Sequence, residues 1–172
     1  MPPSDLSIRA EAPADAAPIA ALTRAAFAGQ PYSSQTEAFI VDALRRAGAL
    51  SLSLVAEDKD GGIVGHIAFS PVTISDGTPH WYGLGPLSVA PALQRRGIGQ
   101  ALVRRGLARL RTLGAAGCVL LGDPAYYGRF GFRQEPGLRL PGVPGEYFQA
   151  LLTDGPLPGG TVAYHPGFQA RG

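Results

Sequence analysis

The stretch Gln94-Arg95-Arg96-Gly97-Ile98-Gly99 constrains this chain most. It follows an apolar run, Gly85-Pro86-Leu87-Ser88-Val89, and opens a helix-like segment from Gln100 to Leu113. A strand, a short loop with two glycines and then a helix make an anion site. The first-turn N–H groups of a helix have no intrahelical partner, and the helix dipole adds partial positive charge there. Gly97 and Gly99 lack a Cβ, so backbone and phosphate can approach closely. Arg95 and Arg96 add full charges. The segment reads as a cradle for a diphosphate.

At 172 residues the chain suits one domain, or a domain with a small appendage. Apolar residues make up 45% and charged ones 16%, enough for a real core and against bulk disorder. Glycine and proline concentrate after Arg133, which predicts turns and loops there. The net charge of +2 is too small to imply a nucleic-acid partner. The single cysteine, Cys118, lies in an apolar strand-like run, so no disulfide forms within the chain and a reducing cytoplasm is the simplest compartment. Met1 to Asp5 shows no basic, apolar leader pattern. No window approaches the roughly 20 apolar residues that span a bilayer, so no membrane partner is expected.

Apolar spacing predicts a strand at Leu6–Ala10, a helix from Pro13 to about Phe27, and a second from Thr36 to Ala47. Strands follow at Leu50–Glu57 and Ile63–Ile74, joined by the turn Asp58–Gly62, and at Tyr82–Val89. Gly83, Gly85 and Pro86 inside the last of these predict a bulge or an unpaired stretch near a ligand. Gly117–Leu121 reads as a buried strand of a parallel pair. Asp123-Pro124 starts a short helix to about Phe130. Phe132–Leu140, Glu146–Leu152 and Thr161–Tyr164 are short strands or a helix. Hairpins followed by a βαβ unit give a mixed α/β sheet, mostly antiparallel and flanked by helices.

This arrangement resembles the GNAT superfamily of N-acetyltransferases, which use acetyl-CoA. Gln94, Gly97 and Gly99 match the specified positions of its pyrophosphate loop, Gln/Arg-x-x-Gly-x-Gly/Ala, and a helix follows. Tyr126-Tyr127-Gly128-Arg129-Phe130-Gly131-Phe132 resembles the late motif Tyr-x-x-x-Gly-Phe, with Tyr127 at its tyrosine. Leu121-Gly122-Asp123-Pro124 further resembles a bacterial subgroup with a Gly/Pro-rich C-terminal extension. The resemblance implies one N-acetyltransferase domain over 1–172, with a core of about 6–132 and an extension of about 133–172. Many family members carry an asparagine ahead of the tyrosine, where it contacts the pantetheine; here the loop offers Asp123-Pro124.

Amine acetylation from a thioester sets four requirements. Backbone N–H groups from Arg95 to Gln100, Ile98 included, would grip the CoA diphosphate, with Arg95, Arg96, Arg104 and Arg105 as further phosphate ligands. The resemblance implies that Leu87, Ser88 and Val89 hold the pantetheine through backbone atoms, like an added strand. A phenol of pKa about 10 lies near enough to a thiol at about 8.5 to give the departing sulfur a proton. Tyr127 is that acid by its motif position, with Tyr126 its closest rival. A base must take the amine proton; Glu57, His66, His80 or a water chain all stay open. Cys118 lacks a charged neighbour and is not expected to be a nucleophile. The loop Gly29–Gln35 and the turn near Trp81-Tyr82 are candidates for the acceptor pocket. The tail either covers the acceptor side or makes a homodimer contact.

Other classes fare worse. Gly97-Ile98-Gly99-Gln100-Ala101-Leu102 has leucine where a dinucleotide fold needs its third glycine. No Gly-Lys-Ser/Thr occurs, which excludes a Walker loop. The arginines at 95, 96, 104, 105, 109 and 111 lack any nucleic-acid motif around them. No metal is expected. A non-catalytic CoA or acyl-CoA-binding module is the main alternative to an enzyme acting on a small-molecule or peptide amine.

Overall fold

A computed structural model describes residues 5–172. Met1 to Ser4, most of the segment read above for a leader, lie outside the described residues. The chain runs β1 (Ser7–Ala10), α1 (Ala16–Phe27), α2 (Glu37–Arg46), β2 (Leu52–Glu57), β3 (Ile63–Ile74), β4 (Trp81–Val89) and α3 (Ile98–Thr112). It continues through β5 (Gly117–Leu121), α4 (Pro124–Tyr127), β6 (Leu138–Arg139), β7 (Phe148–Leu152) and β8 (Gly160–Tyr164). The sheet order is β1-β2-β3-β4-β5-β7. All of these neighbours are antiparallel except β4 and β5. The mixed, mostly antiparallel sheet expected from the sequence is therefore present.

Each helix lays an apolar stripe on the sheet. From α3, Ile98, Leu102, Val103 and Leu110 are buried against Leu54, Ile67 and Phe69. On the opposite face Ile19 of α1 and Val41 of α2 meet Val55 of β2. Full burial of such a side chain contributes roughly 1.5–3 kcal/mol, so these two layers hold the sheet between them. In α2, Glu37 lies in the first turn and Arg45 and Arg46 in the last, both favourable to the helix dipole.

The strand read as Ile63–Ile74 is found with those bounds, and α3 starts two residues earlier than expected. Gly97 explains that start. It adopts φ +85°, a conformation that glycine takes without strain, and turns the chain directly into the helix.

The segment after Arg133 is woven into the same sheet. β7 pairs along β5 from Gly117↔Leu152 to Leu121↔Phe148. β8 pairs with the far end of β3, Val72↔Tyr164 to Ile74↔Val162. Phe148, Ala150 and Val162 then bury Trp81 and Val119. Of the Phe132–Leu140 stretch only Leu138–Arg139 forms a strand.

Two features of β4 prepare a site. Its parallel pairing with β5 covers only Trp81↔Gly117 to Gly83↔Val119. Beyond Gly83, β4 is paired on the β3 side alone. It also bulges, because Leu84 faces Phe69 and Leu87 faces Ile67, so Gly85 and Pro86 oppose Ala68 alone. The glycines and proline in the strand mark this bulge, as expected.

Candidate active site

A cavity of about 770 Å³ opens where β4 parts from β5 and α3 begins. Eight of the residues expected to bind a cofactor line it: Leu87, Val89, Gln94, Arg95, Gly97, Ile98, Gly99 and Gln100. Ser88 alternates to the other face of β4 and is buried, and the Arg96 side chain is exposed outside the lining. Arg104 lies over the Phe130 ring at 5.0 Å and does not line the cavity. Sequence reasoning missed Ala26 and Phe27, at the end of α1, and Arg129. The signal for Arg129 was its place inside the tyrosine motif.

The loop between β4 and α3 is held by its own short bonds. Gln94 Nε2 donates to the Val89 carbonyl at 3.2 Å, and the Leu93 N–H donates to the Ala90 carbonyl at 2.8 Å. Arg95 at φ +65° and Gly97 at φ +85° then fold the chain into a tight cradle. The first intrahelical bond runs from the Ala101 N–H to the Gly97 carbonyl at 3.0 Å. The N–H groups of Ile98, Gly99 and Gln100 thus have no acceptor within the helix. The charged side chains of the lining, Arg95 and Arg129, are both cationic, and no carboxylate joins them. Such a cradle suits the diphosphate of a nucleotide cofactor such as CoA.

Gly99 carries a second constraint. A Cβ there would stand 3.1 Å from the Tyr126 hydroxyl. Loop and tyrosine motif therefore meet across the cavity. Tyr126 lines it, with Arg129 stacked 4.7 Å over its ring. Burial raises the Tyr126 phenol, against the opposing charges of Arg129 and Arg104.

Tyr127 sits one layer deeper, outside the cavity lining and packed on the main core. Its ring meets Tyr126 edge-on at 4.9 Å and Phe132 at 6.1 Å. Burial, then the neighbouring phenols of Tyr126 and Tyr32, pushes its hydroxyl well above the usual phenol range. It is thus a protonated donor at neutral pH.

Asp123 has a local task in aiming this pair. Its carboxylate accepts the Ala125 N–H at 3.0 Å and so caps α4. The preceding turn is fixed from β7 and the residue before it: the Gln149 amide donates to the Gly122 carbonyl, and the Gly122 N–H donates to the Tyr147 carbonyl, each at 3.0 Å. The late segment thereby supports the tyrosines.

The candidate bases fall in different places. Glu57 is held by Arg9 at 2.8 Å near the sheet edge, and His80 is exposed in a turn. His66 is fully buried on β3, and its Nε2 lies 2.8 Å from Ser53 Oγ. Cys118 is buried in the core, where desolvation pushes its thiol far up. Tyr32 and Gln30, from the loop expected at the acceptor pocket, line the cavity mouth. Among the described residues there is no cluster of three or more His, Cys, Asp or Glu side chains fit for a metal ion. No helix among them is long and apolar enough to cross a membrane.

Comparison with known proteins decides the family. The chain is 40% identical to the uncharacterized N-acetyltransferase YhbS of Escherichia coli (strain K12), over 94% of this chain and 97% of that one. This chain belongs to the GNAT family of N-acetyltransferases. Residues 50–134 match the acetyltransferase (GNAT) domain, a span that includes β4, the cradle and the tyrosine motif. A GNAT family acetyltransferase from Brucella melitensis, solved in complex with acetyl-CoA, is 55% identical. It superposes with a TM-score of 0.85 over 95% of this chain and 97% of that one. The crystal structure of YhbS from Escherichia coli, in complex with CoA, gives a TM-score of 0.85 at 37% identity. That match covers 100% of this chain and 96% of the other.

Proposed function

We propose that this GNAT protein moves an acetyl group from acetyl-CoA to a primary amine of a small molecule or peptide, by direct attack of the neutral amine. The observation that carries this reading is the single cavity joining the unpaired edge of β4, the α3 cradle and the tyrosine motif. The relatives solved with acetyl-CoA and with CoA support it. The lone buried Cys118 suits a reducing, cytoplasmic setting.

Each part of the chain then has a task. The N–H groups of Ile98 to Gln100 bind the diphosphate, helped by Arg95. The main chain of Leu87 to Val89 lies alongside the pantetheine as a neighbouring strand does. A main-chain N–H on that edge polarises the thioester carbonyl. Tyr127 gives its phenolic proton to the departing sulfur.

Thermal unfolding with acetyl-CoA, CoA and NAD in parallel tests the reading. A ligand that binds only the folded state, at 100 times its dissociation constant, adds about 2.7 kcal/mol. For a chain of this size that raises the midpoint by roughly 5–10 °C. A rise with both CoA species and none with NAD is expected. No rise with either CoA species would remove the reading.

A further inference from the structure

Two aromatic rings form a corner at the mouth of the cavity. Phe27 is the last residue of α1, and Tyr32 stands in the loop that follows. Both line the cavity. Their rings meet edge to face, with centroids 6.4 Å apart and planes at 85°. Tyr32 is 75% exposed, so its ring is not a piece of the core.

The loop that carries Tyr32 is tied down on both sides of it. The Phe27 carbonyl accepts the Gln30 N–H at 3.1 Å and the Gln35 side-chain amide at 2.7 Å. The Gln30 carbonyl accepts the Ser33 N–H at 3.1 Å, and Ser33 Oγ accepts the Gln35 N–H at 2.9 Å. Bonds of the loop, not packing of the ring, therefore set where Tyr32 stands. A large ring held in place and left open beside a cavity is a surface for a ligand, because little freedom remains to be lost on contact. Tyr32 also lies near the proposed acid. After burial and the Tyr126 phenol, its own phenol is the next group that holds Tyr127 high.

The charges around the corner narrow the ligand further. The charged side chains of the lining are Arg95 and Arg129, and among the described residues no carboxylate joins them. Glu37, just beyond the loop, takes the Ser33 hydroxyl on its two oxygens at 2.7 and 2.8 Å. Asp123 is engaged as the cap of α4. A polycation such as a polyamine would bring further ammonium groups into this cavity with no carboxylate to pair with, which is costly. A flat apolar group meets the opposite situation. It can stack on one ring of the corner and meet the edge of the other, the two arrangements that aromatic rings favour.

We propose that the Phe27–Tyr32 corner holds the acceptor, and that the acceptor is a primary amine on an aromatic frame with no second positive charge. This deepens the acetyl-transfer reading above and rests on it. The amine nitrogen bonds to the acetyl carbon as the carbon–sulfur bond breaks. Tyr127 protonates the sulfur, and the surplus proton on nitrogen leaves to water, from which Tyr127 recovers its own. Phe27 and Tyr32 place the acceptor ring and take no part in that transfer.

The test is CoA release from acetyl-CoA with phenethylamine, spermidine or hydrazine as acceptor, for the parent, Tyr32→Ala and Tyr32→Phe. Thermal midpoints confirm that each variant folds. In the parent, kcat/KM for phenethylamine should exceed that for spermidine at least tenfold, within the range that apolar contacts supply. Tyr32→Ala should raise KM for phenethylamine at least tenfold, with KM for acetyl-CoA within about twofold of the parent. Hydrazine has no ring to seat, so the ratio of kcat/KM for phenethylamine over hydrazine should fall in that variant. Tyr32→Phe keeps the ring and should restore the ratio. A parent that prefers spermidine, or an unchanged ratio in Tyr32→Ala, would overturn the assignment and leave acetyl transfer intact. A rise in KM for acetyl-CoA alone would overturn it as well and give the corner to the cofactor. No CoA release above the spontaneous rate with any of the three acceptors would remove the acetyl-transfer reading itself.

Discussion

The ring of Tyr127 occupies the space that a β-carbon on Gly122 would need. Such a carbon would stand 2.4 Å from Tyr127 Cε2, far inside contact distance. Gly122→Ala must therefore push the ring out of its seat, while the α3 cradle lies on another element. The expected result is a fall in kcat of about tenfold to a hundredfold, since small misplacements of a reacting group are costly. Affinity for acetyl-CoA should stay within about twofold. Steady-state kinetics beside a calorimetric titration would check this; equal losses in both would show that the turn serves cofactor binding instead.

The cradle was legible in the sequence because its signal is local. Gln94, Gly97 and Gly99 sit within six residues, and the helix that follows has a clear apolar stripe. The bulge in β4 was legible for the same reason, since Gly83, Gly85 and Pro86 cannot all sit comfortably in a regular strand. Pairings over long range were not. Nothing near Phe148 or Gly160 says that these segments return to β5 and β3, because Gly/Pro-broken stretches carry no lasting period. The two neighbouring tyrosines were also inseparable in the sequence. Only packing puts Tyr126 at the cavity wall and Tyr127 beneath it. His66 reads as a lone strand histidine until Glu11 and Ser53, 55 and 13 residues away in the sequence, are brought beside it.

Gly97→Val should act on binding rather than on turnover. The position holds φ +85°, where a β-branched residue is strained, and it sets the start of α3. Valine would reshape the loop and turn the free N–H groups away from the cavity. A loss of affinity for CoA of at least tenfold is expected. Titration of CoA into the variant, with circular dichroism to confirm its helices, would measure it. Unchanged affinity would argue that the diphosphate lies elsewhere.

Tyr127→Phe removes one hydroxyl from a half-buried ring packed on the main core and leaves its shape. Stability should change little, and acetyl-CoA should bind as before. Turnover should fall about a hundredfold, the usual order for loss of a general acid. Tyr126→Phe serves as the contrast, because Tyr126 lines the cavity with a half-buried hydroxyl beside Gly99. Parent-like turnover in Tyr127→Phe, with a loss in Tyr126→Phe, would transfer the acid role to Tyr126.

Stability should also report on His66 through pH. Burial holds its imidazole at about 4 in the folded protein, below the ordinary 6.5. Between those values the unfolded chain takes up a proton that the folded protein refuses, so stability falls as pH falls. This contribution is whole above about pH 6.5 and fully lost below about 4. By pH 5 the loss is on the order of 2 kcal/mol. Two carboxylates fall in a more acidic window. Burial alone would raise Glu11, but the hydrogen bonds from Arg45 and Ser53 outweigh it and hold it below its usual range. The Arg9 and Ala12 N–H donors hold Asp15 low in the same way. Both lose their share only as pH drops below about 4.5. Urea midpoints at pH 7 and pH 5 should therefore separate in the parent, with the lower value at pH 5. In His66→Gln the separation should shrink, because no imidazole remains to be charged at that site. Identical midpoints for the parent at the two pH values would show that the buried histidine does not resist protonation.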